Sequence, residues 1–170
     1  YANATVQQVL NMNLANNYTE DFSDPFSSSF IHETTLGWRL PSDQIPEVTQ
    51  KEFLCSIQQV GDSLENTTGY ADYKSANTDV LAWVAERVSK RSLRDWMISI
   101  VEAIGIEGNW HMHTDRAGFP VVDGGVNLCT RDLARFGQLF CRYGVGVNGK
   151  AVGDKDYIEN TRKNPGPKNL

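Results

Sequence analysis

Apolar positions recur at three- and four-residue spacing over several separated stretches, the period of helices that bury one face. Thr5 to Met12 reads as a short helix, with Thr5 able to cap it and Val6, Val9 and Leu10 on one side. Thr49 followed by Glu52 has the form of a capping box, and it opens a helix through about Val60 with Phe53, Leu54 and Ile57 inward and Gly61 as its stop. Asn77 is placed to cap a helix carrying Val80, Leu81, Val84 and Val88. Ser92 with Asp95 starts another, in which Leu93, Trp96, Met97, Ile100, Val101 and Ile104 make a wide apolar face before Gly105. Thr130 through Tyr143 forms a further helix with Leu133, Phe136, Leu139 and Phe140 inward and Gly144 as its end. A last short one covers Asp154 to Asn160.

Between these lie stretches of different character. Residues 13–48 show no sustained period and are broken by Asn16-Asn17, Ser23-Asp24-Pro25, Gly37, Pro41 and Pro46. Phe22, Phe26, Phe30, Leu36 and Trp38 give this segment apolar anchors, so it reads as one long ordered loop lying over the molecule. Trp110 to Thr114 is strand-like, and Asp123-Gly124-Gly125 turns the chain. Residues 164–170, with Asn164-Pro165-Gly166-Pro167, read as a tail. The pattern predicts a mainly α single domain or partial domain over 1–170, its helical lobe spanning 49–163, with little sheet of its own and no internal repeat.

The chain has 170 residues, 40% of them hydrophobic and 22% charged, a globular composition. Its net charge of −5 provides no basic stripe for phosphates, which argues against a nucleic-acid partner. No apolar run approaches the roughly 20 residues that span a bilayer, so no membrane partner is expected from these residues, and no signal-peptide pattern is seen at the start of the sequence. Cys55, Cys129 and Cys141 sit among apolar neighbours and read as reduced core thiols, which leans toward a cytoplasmic over a periplasmic setting. A catalytic cysteine is the minor alternative.

Candidate chemistry concentrates before the Asn77 helix. In Tyr73-Lys74-Ser75 an extended backbone puts the Tyr73 and Ser75 hydroxyls on one face and turns Lys74 away, toward solvent. A phenol with a pKa of about 10 is a poor base at neutral pH unless a cation or a nucleophile works beside it. His111, His113 and Asp115 form the best metal candidate, two imidazoles on one strand face with a carboxylate nearby. Zinc wants further ligands and only His32 remains among the histidines, so a polar strand edge is the favoured reading and no metal or other cofactor is expected. Gly124 and Gly125 lack the further glycines or Gly-Lys-Ser/Thr ending of a phosphate loop and read as a tight turn near the cleft.

Tyr73-Lys74-Ser75 followed by Asn77-Thr78-Asp79-Val80-Leu81-Ala82-Trp83-Val84, then Val122-Asp123-Gly124-Gly125-Val126-Asn127 and Arg131-Asp132-Leu133-Ala134-Arg135-Phe136-Gly137, resembles the serine β-lactamase-like hydrolases. That superfamily includes class C β-lactamases, DD-peptidases, related esterases and 6-aminohexanoate-dimer hydrolases. The last group is the nearest in flavour, because Thr5 to Met12 and Tyr18 to Pro25 look like that branch too. Such enzymes use a Ser-x-x-Lys, a Tyr-x-Asn or Tyr-x-Ser, and a Lys-Thr-Gly or His-x-Gly, and of these the present sequence holds only the second. The resemblance implies that Tyr73 is the catalytic tyrosine, that Ser75 contacts substrate, and that the Gly124-Gly125 turn walls the cleft. It implies the helical lobe of an α/β serine hydrolase acting on a small-molecule amide, ester or lactam, with this stretch inert by itself for want of a nucleophile. A non-catalytic helical binding module built on the same lobe is the alternative. Helices parted from a partner sheet would expose apolar surface, so self-association is expected.

Overall fold

The computed structural model describes residues 1–45 and 47–168; Pro46 and the Asn169-Leu170 end of the expected tail lie outside the described residues. Along the chain run α1 (Val6–Leu10), α2 (Ser28–Thr35), α3 (Gln50–Ser56), α4 (Ser75–Ser89), α5 (Leu93–Ile104), β1 (His111–Met112), β2 (Val126–Asn127), α6 (Thr130–Cys141) and α7 (Lys155–Lys163). The mainly α expectation therefore holds, with a single antiparallel two-stranded ribbon, His111 opposite Asn127 and Met112 opposite Val126, as the named sheet. Among the described residues no helix is long and apolar enough to cross a membrane.

Helix α4 is the axis, packed against α1, α3 and α5, while α6 lies on α5 and α2 on α3. Val9, Leu14, Tyr18, Phe53, Leu54, Ile57, Ala76 and Val80 form the main core, and Ala82, Leu93 and Phe119 a second one further along α4. Several expected caps are present. Thr5 and Thr49 close full capping boxes with Gln8 and Glu52, Ser92 accepts from the Asp95 N–H, Asp154 from that of Tyr157, and Gly105 ends α5 in the left-handed region at φ 68°.

Four expectations change. The 13–48 stretch is not one loop but contains α2, capped by the Ser27 hydroxyl on the Phe30 N–H. Its buried side chains are Ser29, His32, Thr34 and Thr35, all polar, which is why no apolar period announces it. Helix α3 stops at Ser56 rather than near Val60 because the next residues go extended and pair with the 15–17 segment, Asn17 N–H donating to Gln58 O at 3.0 Å and Val60 N–H to Ala15 O at 3.0 Å. Helix α4 begins two residues before Asn77, whose amide is spent instead on tying α4 to the N-terminal segment: Tyr1 Oη donates to its Oδ1 at 2.8 Å and its Nδ2 donates to Val9 O at 3.3 Å. On α6, Leu139 faces inward, but Leu133 and Phe140 are exposed, and so are all three cysteines, against the core-thiol reading.

Candidate functional site

Helix α4 begins without a cap of its own. Lys74 occupies the cap position with an extended backbone (φ −143°, ψ 111°) and offers no side-chain bond to the first turn. The Glu20 carboxylate, 55 residues away, accepts the Ser75 N–H at 2.6 Å and brings negative charge to the positive end of the helix dipole. The extended cap residue does alternate its neighbours, yet with the opposite sense to that expected for Lys74. Its side chain turns inward and is 3% exposed, its ammonium donating to Tyr18 O at 2.8 Å and pairing with Asp72 at 2.8 Å, whereas Tyr73 is 57% exposed. Ser75 is half-buried.

Beneath this helix end lies a polar cluster that the sequence does not single out. Tyr18 Oη is 3.2 Å from His32 Nδ1, and His32 Nε2 is 3.1 Å from Asp79 Oδ2. The His32 ring stacks on Phe53 at 4.9 Å between centroids, which fixes its plane. Asp79 sits one turn beyond Ser75 on the inner face of α4, and one of its oxygens accepts the Val122 N–H at 3.3 Å. That bond draws the 122–125 turn onto α4 and sets Asp123 beside the pair. Burial, and next the negative charge of Asp79, push the Asp123 carboxyl up to about 6, while burial carries the Tyr18 phenol far above its ordinary range.

Gly124 and Gly125 stand where that turn meets the rest of the molecule. A Cβ at Gly125 would lie 2.6 Å from Val121 O, so only glycine permits this approach, and one at Gly124 would lie 3.2 Å from Trp38 Cη2. The Tyr73-Ser75 segment and the Gly124-Gly125 turn, far apart in sequence, are thus joined through Asp79 and its neighbours. His111, His113 and Asp115 are not brought together. Both histidines are exposed, His113 lying edge-on to Trp38, and Asp115 is buried with its oxygens accepting from the N–H groups of Gln50, Ala117 and Phe119 at 2.9–3.0 Å. Among the described residues it is His32, Asp79 and Asp123 whose ligand atoms lie within 4.8 Å of one another. One signal for this was present in the sequence, the i, i+4 spacing of Ser75 and Asp79; nothing marked His32 or Lys74 as inward.

No family model matches the chain. It is 36% identical over 153 residues to the 6-aminohexanoate-dimer hydrolase of Paenarthrobacter ureafaciens, a match that takes in 89% of this chain and 38% of that protein. Among solved structures it superposes on a Bacillus anthracis protein described as a candidate 6-aminohexanoate-dimer hydrolase, with a TM-score of 0.75 and 22% identity over 94% of this chain and 41% of the other. At that identity the second likeness establishes the fold alone. The chain spans well under half the length of either.

Proposed function

We propose, from the premise that this chain is homologous to 6-aminohexanoate-dimer hydrolase, that it is the tyrosine-bearing helical portion of a hydrolase that cleaves an amide bond. The single observation that carries the reading is the 36% identity to that enzyme over nearly the whole of this chain. The position of Tyr73 supports it: an exposed phenol immediately ahead of α4, on a segment fixed from below by Lys74 and from the side by Glu20. In this scheme an acyl-serine intermediate forms and is hydrolysed. Tyr73 Oη relays the proton of the attacking serine hydroxyl to the departing amine during acylation, and the proton of the attacking water back to the serine oxygen during deacylation, so the tyrosine ends each half-reaction in the protonation state in which it began. Ser75 and the Gly124-Gly125 turn border the substrate, and a linear amide of the aminohexanoate kind is the substrate class.

No serine of this sequence is followed three residues later by lysine. The one lysine beside Tyr73 is committed to Tyr18 and Asp72 beneath the helix end. The 170 residues alone are therefore expected to be inactive, since nucleophile, base and orienting group work as a unit. The test has two arms. The isolated chain is assayed with p-nitrophenyl esters and the 6-aminohexanoate linear dimer, and a polypeptide of the relative's length carrying this chain is assayed in parallel with Tyr73→Phe. No turnover by the isolated chain, together with a fall in kcat of about 10²–10⁴ for the variant at little change in KM, is the expected result. Full activity of the longer Tyr73→Phe protein would overturn the role of Tyr73, and an inactive longer wild-type protein would favour a binding module instead.

A further inference from the structure

We infer that His32, Asp79 and Asp123 form a buried binding site for one divalent transition-metal ion of the zinc class, which fastens α2, α4 and the 122–125 turn to one another. This goes beyond the hydrolase reading and does not rest on it. The three residues come from separate parts of the sequence, and each offers one ligand atom within 4.8 Å of the other two. Their unpartnered atoms coincide with this arrangement. His32 Nε2, Asp79 Oδ2 and Asp123 Oδ1 are all buried without a hydrogen-bond partner, on side chains that for His32 and Asp79 are 2% and 0% exposed. Polar atoms shut away from water without a partner cost free energy, and a shared cation would satisfy all three together.

The geometry favours an ion over a hydrogen bond. His32 Nε2 and Asp79 Oδ2 are 3.1 Å apart, yet they are not aligned as donor and acceptor. Two ligands held about 2.0–2.2 Å from one tetrahedral ion stand about 3.3–3.6 Å apart, so the pair need part by only a few tenths of an ångström to hold one. Tyr18 completes the surroundings on the far side of the ring. Donation of the His32 Nδ1–H to Tyr18 Oη, 3.2 Å away, leaves the Nε2 lone pair aimed at the two carboxylates, the usual support behind a metal-bound imidazole. One imidazole with two carboxylates suits zinc and its first-row neighbours, whereas magnesium and calcium prefer oxygen alone. Among the described residues neither Asp79 nor Asp123 pairs with a lysine or arginine, so a divalent charge is what the two carboxylates lack.

The test is calorimetric titration of the chelator-stripped full chain with ZnCl2, in a background where Cys55, Cys129 and Cys141 are serine so that the exposed thiols cannot bind the metal. One equivalent of zinc, a raised Tm, and cobalt absorption bands typical of tetrahedral nitrogen–oxygen ligation are expected. Asp123→Asn should weaken the binding at least tenfold, while His111→Ala with His113→Ala leaves it unchanged. Asp123 is half-buried, so its amide variant is a gentle change, and its circular dichroism and Tm without metal establish that it folds. Absence of stoichiometric binding, equal affinity in folded Asp123→Asn, or loss of binding with the His111/His113 variant would each overturn the inference.

Discussion

Lys74 illustrates how much a single side chain decides here. It is itself buried, and its ammonium donates to the backbone carbonyl of Tyr18, a residue also shut away from solvent. Lys74→Met keeps the stem and orphans Tyr18 O, so a loss of about 1–3 kcal/mol is expected, read from urea unfolding with unchanged slope. A second residue with the same kind of leverage is Asp132, fully buried at the start of α6. It accepts the Cys129 thiol at 3.2 Å and the Glu107 and Gly108 N–H groups at 3.2 and 3.0 Å, and it pairs with Arg135 at 2.6 Å, which together hold its carboxyl well below the usual carboxylate range. A carboxyl depressed in the folded state stabilises the fold fully above its unfolded pKa of about 4 and ceases to do so as the pH falls below that value. Wild-type protein should accordingly have a higher Tm than Asp132→Asn at pH 7, with the gap closing below about pH 4. A gap that stays constant down to pH 3 would dismiss the role.

At the scale of elements, the 122–125 turn is held from two sides. It is held to α4 through the Val122 N–H and Asp79, and to the residue after β1 through Gly125 O, which accepts the His113 N–H at 2.9 Å. Gly125→Ala brings a methyl onto Val121 O, where backbone rather than a side-chain end must move. A destabilisation of about 1–3 kcal/mol is expected, against less than 0.5 kcal/mol for Gly137→Ala, whose added methyl meets nothing within 4 Å. Equal melting temperatures for the two variants would mean that the turn yields. The elements also separate what could be read beforehand from what could not. Helices α5 and α7 begin where Ser92 and Asp154 cap them, because the cap is a local bond between a side chain and a backbone three residues on. Helix α4 has its cap supplied by Glu20, so no local rule could have placed its start; α2 does have a local cap in Ser27, but it turns serine, threonine and histidine to the interior, so no apolar period marked it.

Across the whole molecule, the apolar surface is unevenly covered. An open cleft of about 550 Å³ between α5, α6 and the ribbon is lined by Met97, Ile100, Ile104, Trp110, Val126 and Phe136, with exposed Leu133 at its edge. Uncovered apolar area of this kind drives association. The chain is expected to self-associate at high concentration by light scattering, and Leu133→Lys with Val126→Lys to shift it toward monomer; a monomeric wild type at the same concentration would show that the cleft is harmless.

Sequence by itself determined the helical class, most of the helix starts, the strand near residue 112, and the likeness that points to Tyr73, since each follows from periodicity, local capping or residue order. Only the tertiary structure decided which way Lys74 points, that a helix runs through 28–35, and that His32, Asp79 and Asp123 share one buried place. Those outcomes depend on contacts between separate segments of the chain, where burial and unmet hydrogen bonds, rather than local preference, select the side-chain direction.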